Sequence, residues 1–322
     1  HWKPEHDEQN IAWLHLAMAD SRVNLLAGEV LDELGTVLDE LAASSPQGII
    51  ILSDKQSGFI FGADIKEFLE LDDISQSQPF LDRGHEIMNK LAAMPCPTVS
   101  MVKGMCIGGG MELSLACNYI VACDDSSTRL GLPEIKLGIH PGYGGTARSI
   151  QRCGPLPAMD IMLTGRALPS RTAKKIGLVD ECIPERQLRR AAISYVMEAP
   201  KRKRPPFVQR LLNNRLLRPF IAQQMRKQVL DDMGRVLEWA APGRPAVLGG
   251  LSFGGLASLH FAIAHPERVR ALLLFDSLGD SLRAGNRTRA ARLTAVDLGP
   301  SPEVDASQRP AEVEAGHTSP CR

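Results

Sequence analysis

Two glutamates stand in unusual surroundings for acidic side chains. Glu112 follows three consecutive glycines within an apolar stretch, and Glu134, 22 positions later, follows a Gly-Leu-Pro turn. Carboxylates that serve only solubility are not normally placed in such settings. A pair of carboxylates there is typical of acid/base catalysis, in which one group takes up a proton while the other gives one. The pair therefore predicts an enzyme that moves protons.

The glycines before Glu112 predict a site for a developing negative charge. They allow the backbone to approach a ligand closely, and the helix predicted to follow directs its free N–H groups and positive dipole end to the same place. A second tight turn, at residues 61–65, also precedes a predicted helix and offers a second backbone donor. The alternative is that the three glycines form only a close-packed strand-to-helix turn, and the triplet alone does not distinguish the two.

Hydrophobic periodicity predicts strands and helices that alternate with short connections. Strands are predicted at residues 11–18, 48–52, 98–102 and 119–123, and helices at residues 24–43, 80–94, 110–118, 145–152 and 185–199. A further strand, helix and strand are predicted at residues 246–248, 256–265 and 269–275. This order indicates the α/β class.

The composition is that of a soluble globular protein. Of 322 residues, 44% are apolar, and 37 basic residues balance 37 acidic ones, so nothing favours a nucleic-acid or membrane surface. The seven cysteines are odd in number and lack Cys-x-x-Cys spacing, which argues against a disulfide framework and a zinc site. We interpret them as reduced thiols of a cytoplasmic protein. The first residue is His1 rather than Met, so we expect that the beginning of the chain is missing.

Four segments, at residues 62–68, 104–113, 131–134 and 137–146, resemble in order and spacing the signature segments of the crotonase (enoyl-CoA hydratase/isomerase) superfamily. Because the motifs are linked, the match is far more specific than any one of them. The resemblance covers about residues 5–228 and is closest to the N-terminal hydratase domain of multifunctional fatty-acid-oxidation α subunits. It implies a crotonase-like ββα spiral, with the hydratase core at residues 1–200.

The resemblance implies hydration of trans-2-enoyl-CoA to 3-hydroxyacyl-CoA in fatty acid β-oxidation. The backbone N–H groups of Ala63 and Gly109 would then form an oxyanion hole for the thioester carbonyl oxygen. Glu112 and Glu134 would activate water and exchange a proton with the α-carbon. Superfamily members that only isomerise or cleave often keep one of these carboxylates, so the presence of both favours a hydratase, with an isomerase side activity left open.

The resemblance also implies contacts to CoA and the absence of a separate cofactor. Ala63, Asp64, Ile65 and Lys66 are the candidate CoA-binding residues, although Lys66 equally fits a surface lysine at a helix start. CoA is part of the substrate, and no metal is expected. A loose dinucleotide pattern at residues 142–147 follows a poor parallel strand, so NAD binding is not predicted. A homo-oligomer, or a complex with a thiolase subunit if the parent protein is multifunctional, is the implied assembly.

The last third of the chain changes in composition. Residues 201–230 open with four consecutive cations, and we interpret them as a basic helical linker rather than a nucleic-acid site, because the overall charge is balanced. Residues 231–280 resemble a partial α/β-hydrolase, since a Gly-Leu-Ser-Phe-Gly segment places Ser252 between an apolar strand and a helix. Residues 281–322 are predicted to form a disordered tail.

The sequence around Ser252 lacks the strands and catalytic partners that a working hydrolase requires. Several strands should precede such a serine, and an acid and a histidine should follow it. We therefore interpret Ser252 as a relic nucleophile. The alternatives to a hydratase are a serine ester hydrolase at Ser252 and an inactive fusion fragment.

Overall fold

The structure, a computed structural model, describes residues 1–19, 21–64, 67, 74–137, 139–202, 204–214, 216, 218–251, 253–275 and 294–297. The chain divides into two compact units, one comprising residues 1–221 and the other the residues from 222 onward. Both glutamates lie in the first unit.

The strands of the first unit form two sheets. In chain order they are β1 (Trp2–His6), β2 (Ile11–Leu16), β3 (Gly48–Ser53), β4 (Gly58–Ile60), β5 (Thr98–Val102), β6 (Met105–Ile107), β7 (Tyr119–Cys123), β8 (Arg129–Gly131), β9 (Leu168–Pro169) and β10 (Glu181–Ile183). The larger sheet has the order β1-β2-β3-β5-β7-β10 and is parallel except for the β1–β2 pair. The smaller sheet has the order β4-β6-β8-β9, and only β9 is antiparallel to its neighbour.

Helices of the first unit connect and cover these strands. They are α1 (Gly28–Ser44), α2 (Ile74–Ala92), α3 (Gly109–Ala116), α4 (Gly145–Cys153), α5 (Pro155–Thr164), α6 (Ser170–Lys175), α7 (Glu185–Glu198) and α8 (Phe207–Leu212), with a 3₁₀ turn at Glu134–Leu137. Five helices predicted from periodicity correspond to α1, α2, α3, α4 and α7. Short strands β4, β6 and β8 were not predicted, because three residues carry too little pattern.

Successive repeats of two strands and a helix build a spiral. A strand of the larger sheet is followed by a short strand of the smaller sheet and then by a helix, as in β3-β4-α2 and β5-β6-α3. The repeat β7-β8 continues into the 3₁₀ turn. Each repeat adds one strand to each sheet, because β3, β5 and β7 are neighbours in one sheet and β4, β6 and β8 in the other. This is the ββα spiral that the family resemblance implies.

Alternating side chains bury the larger sheet on both faces. In β2, Ala12 and Leu14 belong to one core cluster while Ile11 and Trp13 belong to the other. Helices α1 and α2 contribute to the first cluster, and α7 contributes three side chains to the second: Leu188, Ala192 and Val196. Parallel strands covered on both faces are expected to be apolar throughout, as the run in β3 is.

The second unit contains a smaller sheet. Helix α9 (Arg218–Ala240) leads to β11 (Ala246–Leu251), α10 (Phe253–Ala264), β12 (Val269–Phe275) and β13 (Thr294–Asp297). β11 and β12 are parallel, whereas β13 is antiparallel to β12. Apart from β13, the predicted tail lies outside the described residues, and the hydrolase-like interpretation stays a prediction. None of the described helices has the length and apolar character needed to cross a membrane.

The boundaries of the two units differ from those predicted for the domains. Helix α9 continues through residue 230, where the sequence pattern placed the end of a linker, because no proline interrupts residues 220–240. The boundary between the units falls after Ile221 rather than at residue 200 or 230. The functional division of the chain into domains stays a prediction.

A buried asparagine joins the ends of several strands. The Nδ2 atom of Asn24 donates to the carbonyl oxygens of Leu16 and Phe59, both at 3.1 Å, and to Ser53 Oγ at 2.9 Å. Its Oδ1 atom accepts a hydrogen bond from the backbone N–H of Met18 at 3.0 Å. Asn24 is fully buried, so these groups have no access to water as a substitute.

Replacement of this asparagine should destabilise the first unit. Asn24→Ala is expected to lower the free energy of unfolding by about 2–4 kcal/mol, because several buried polar groups lose their partner. Urea unfolding measures the change. Gln47→Ala removes an exposed amide side chain and should cost no more than about 0.5 kcal/mol. Equal stabilities of the two variants would contradict the role of Asn24.

Candidate active site

Helix α3 carries Glu112 and is buried along its whole length. It starts directly after β6, with Gly108 as its N-cap at φ +55° and ψ −131°, a conformation that side chains with a Cβ rarely adopt. The backbone N–H of Glu112 donates to the carbonyl of Gly108 at 3.0 Å. Glu112 therefore lies in the first turn of a helix inside the protein, with 2% of its surface exposed.

The carboxylate of Glu112 is held by the turn that precedes α4. Its Oε1 atom accepts hydrogen bonds from the backbone N–H groups of Tyr143 at 2.7 Å and Gly145 at 2.8 Å. A methyl group built on Gly145 would lie 2.7 Å from Glu112 Cγ and 2.8 Å from Oε1. A glycine at position 145 thus lets the turn close over the carboxylate.

Arg148 supports the same turn from the other side. Its Nη1 atom donates to the carbonyl of Tyr143 at 2.8 Å, and its Nη2 atom donates to Oδ1 of Asn89 on α2 at 2.7 Å. The sequence prediction did not include Tyr143, Gly145 or Arg148 among the site residues. The signal that could have indicated them was the pair Gly144-Gly145 at the start of a predicted helix, within the segment at residues 137–146 that resembles the family pattern.

Glu134 lies at the start of the 3₁₀ turn that follows β8. It is 9% exposed, and neither of its carboxylate oxygens has a hydrogen-bond partner among the described residues. An ionised carboxylate in this state is costly, so protonation or contact with a ligand is favoured. A methyl group built on Gly108 would lie 3.7 Å from Glu134 Oε1, which places this carboxyl group beside the N-terminus of α3.

Ala63 and Gly109 lie next to one another. A methyl group built on Gly109 would lie 3.3 Å from the backbone nitrogen of Ala63, and one built on Gly62 would lie 3.9 Å from the nitrogen of Gly109. Leu26 anchors the loop that contains Gly62 and Ala63. Its backbone N–H donates to the carbonyl of Gly62 at 2.8 Å, and it forms a parallel bridge with Ala63. Two backbone amides so close together, one of them at a helix N-terminus, can stabilise an oxyanion.

The remaining predicted residues are only partly described. Asp64 is half-buried and directly follows Ala63. The carboxylate of Glu67, which was not predicted, accepts the backbone N–H of Gly28 at the start of α1 with both oxygens, at 2.9 and 3.0 Å. Three residues with predicted roles lie outside the described residues: Ile65, Lys66 and Ser252. Within the described part of the chain, no group of three His, Cys, Asp or Glu residues could hold a metal ion.

Burial raises the pKa of both glutamates to about 7. For Glu112, burial outweighs the backbone N–H groups of Gly145 and Tyr143 and the charge of Arg148, which all act to lower the pKa. For Glu134, the negative charge of Glu112 adds to the effect of burial. A pKa near neutrality allows a carboxyl group both to take and to give a proton at physiological pH.

Comparisons with known proteins cover mainly the first unit. A sequence model of the enoyl-CoA hydratase/isomerase family matches residues 7–233. The fatty acid oxidation complex subunit alpha of Vibrio vulnificus is 37% identical over 226 residues, which are 69% of this chain and 32% of the relative. The subunit of the same name from Vibrio cholerae is 34% identical over 285 residues, or 86% of this chain and 40% of the relative. The chain therefore spans well under half the length of these relatives.

Solved structures share the fold of this unit. An enoyl-CoA hydratase from Bacillus anthracis superposes with a TM-score of 0.57 and 28% identity, covering 61% of this chain and 75% of that one. A Geobacillus kaustophilus protein described as an enoyl-CoA hydratase superposes with a TM-score of 0.56 and 30% identity, covering 60% of this chain and 72% of that one.

The raised pKa of Glu134 predicts a stability change that depends on pH. Its folded-state pKa of about 7 exceeds the ordinary value of 4.5, so the folded state keeps a proton that the unfolded state releases between these values. The free energy of unfolding therefore falls as pH rises through this window. Glu134→Gln removes the titration and should stabilise the protein more at about pH 8 than at about pH 5.

Chemical unfolding of both proteins at the two pH values measures this difference. Glu40→Gln, which changes an exposed residue of α1, should have the same small effect at each pH. If Glu134→Gln also had the same effect at each pH, the raised pKa would be wrong.

Proposed function

The chain belongs to the enoyl-CoA hydratase/isomerase family, and from this premise we propose that it adds water to trans-2-enoyl-CoA to give 3-hydroxyacyl-CoA in fatty acid β-oxidation. One observation carries the proposal. Two buried carboxyl groups, each with a pKa of about 7, lie at the N-terminus of the helix whose first amide is adjacent to that of Ala63.

The backbone N–H groups of Ala63 and Gly109 donate to the thioester carbonyl oxygen of the substrate. Negative charge grows on this oxygen when water attacks the β-carbon, because the electrons of the double bond move towards the carbonyl as an enolate forms. Amides that are already in position stabilise this charge without reorganisation, and one such donor typically contributes a factor of about 100 to 1,000 in rate.

The two glutamates divide the proton transfers. Glu112 acts as the base that takes a proton from water, because the N–H groups of Tyr143 and Gly145 and the charge of Arg148 favour its ionised form. Glu134 acts as the acid that protonates the α-carbon, because its oxygens lack hydrogen-bond donors among the described residues. The hydroxyl group bonds to the β-carbon, and a proton passed from Glu112 to Glu134 through solvent restores the site.

Further parts of the proposal concern substrate contacts and assembly. Residues 63–66 contact CoA, which is part of the substrate, and the reaction needs no separate cofactor. An isomerase side activity is consistent with the site, since moving a double bond requires only proton transfers. Relatives named as subunits of a fatty acid oxidation complex support assembly into a complex. We propose a cytoplasmic enzyme that forms a homo-oligomer or a complex with a thiolase subunit.

Loss of either carboxyl group should abolish most of the hydratase activity. Glu112→Gln and Glu134→Gln are each expected to lower kcat about 100- to 10,000-fold, because an amide cannot exchange a proton. The decrease in enoyl absorbance of crotonyl-CoA measures the rate. Glu40→Gln should retain the wild-type rate. Unchanged rates in both site variants would refute the assigned residues, whereas an inactive wild-type protein would refute the hydratase proposal itself.

Gly145, in the turn that holds Glu112, should be needed to keep the Glu112 carboxylate in position. Gly145→Ala is expected to lower kcat about 10- to 100-fold, because the added methyl group displaces the carboxylate. Gly234→Ala is the matched control, since its methyl group would make an ordinary 3.7 Å contact with Phe261. Circular dichroism verifies that both variants fold. A wild-type rate for Gly145→Ala would show that the turn does not position Glu112.

A further inference from the structure

A cavity of the first unit is lined by several basic side chains. It has a volume of about 310 Å³ and shares no lining residue with the candidate active site. Its basic side chains come from two segments: Arg171, Lys174 and Lys175 of α6, and Arg202, which follows α7. Asp180 also lines the cavity.

The carboxylate of Asp180 is already compensated from within the protein. Its Oδ2 atom accepts a hydrogen bond from Nη1 of Arg152 at 2.5 Å and another from the backbone N–H of Ile120 at 2.8 Å. Arg152 is only 3% exposed, so this is a buried ion pair. Asp180 is therefore shared between Arg152, with which it pairs, and the cations that line the cavity.

Two guanidinium groups converge at the C-terminal end of α3. Nη2 of Arg152 donates to the carbonyl oxygens of Cys117 and Asn118 at 3.1 and 3.2 Å, and Nη2 of Arg202 donates to the same two atoms at 3.1 and 2.5 Å. Burial lowers the pKa of Arg202, and the charge of Arg152 adds to this effect, whereas the charge of Asp180 opposes it. The Nε atom of Arg152 is buried and has no hydrogen-bond partner in the described part of the chain.

The cations of α6 differ in how far they are paired. Arg171 forms an ion pair with Asp124 at 2.7 Å, and Lys174 forms one with Glu181. Lys175 is exposed and forms no ion pair within the described residues. Its charge is therefore available to a ligand in the cavity.

From this arrangement we propose that the cavity binds a small phosphate-bearing anion. The ammonium group of Lys175 and the guanidinium group of Arg202 are cations of the kind that recognise phosphate oxygens. A volume of about 310 Å³ lies at the lower end of the range for small-molecule sites and is large enough for a phosphate or diphosphate group. The four consecutive cations at residues 201–204, interpreted from sequence as part of a solvated linker, supply Arg202 to this site. The proposal does not depend on the hydratase activity.

Calorimetric titration of the full chain with sodium pyrophosphate, at an ionic strength held constant with sodium chloride, tests the site. Saturable binding is expected, and Lys175→Gln should raise Kd about 3- to 10-fold through loss of one charge contact. Arg190→Gln, at an exposed position of α7, should leave Kd unchanged. Absence of saturable binding, or the same Kd in both variants, would overturn the proposal.

A second titration distinguishes two sources of the phosphate group. The phosphate groups of CoA share this chemistry with a free anion. Loss of pyrophosphate binding in saturating CoA, with Lys175→Gln also weakening CoA binding, assigns the cavity to the phosphates of CoA. Retained pyrophosphate binding assigns it to a separate anion. Both results support phosphate recognition at these residues.

Discussion

Burial of a carboxyl group on a helix inside the protein is the constraint on which the rest of the site depends. Water cannot solvate Glu112, so its Oε1 atom takes hydrogen bonds from the turn before α4. That turn can approach only because residue 145 is a glycine. The other end of α3 has the opposite requirement: its last carbonyl groups need donors, and Arg152 and Arg202 provide them.

The same burial links stability to chemistry. Raising the pKa of Glu112 and Glu134 to about 7 means that their ionised forms are disfavoured in the folded protein. A protein selected for stability alone would place apolar side chains there. The observed arrangement lowers stability near neutral pH and leaves two carboxyl groups whose pKa values lie in that range.

Local patterns predicted four of the six strands of the larger sheet and most of its helices, but not β1 or β10. The strands at Thr98–Val102 and Tyr119–Cys123 have the predicted bounds, because apolar runs of this length between turn residues are a clear signal. Strands such as Gly58–Ile60 and Met105–Ile107 were missed, since three residues become a strand only when a neighbour pairs with them. The predicted basic helical linker ends at residue 230, whereas the helix that begins at Arg218 continues to Ala240, and the division into domains stays a prediction.

The residue types and their order along the chain were enough to single out Glu112 and Glu134 as candidates and to recognise the family pattern that contains them. The resemblance to that family then implied Ala63 and Gly109 as the oxyanion donors. The residue types and their order did not reveal that the backbone N–H groups of Tyr143 and Gly145 hold the Glu112 carboxylate. Nor did they reveal that Arg202, from the run of basic residues, donates to a carbonyl oxygen at the end of α3. Those contacts join residues 31, 33 and 85 positions apart. No local periodicity encodes such pairs, because they form only when the spiral of ββα repeats brings distant turns together around one buried helix.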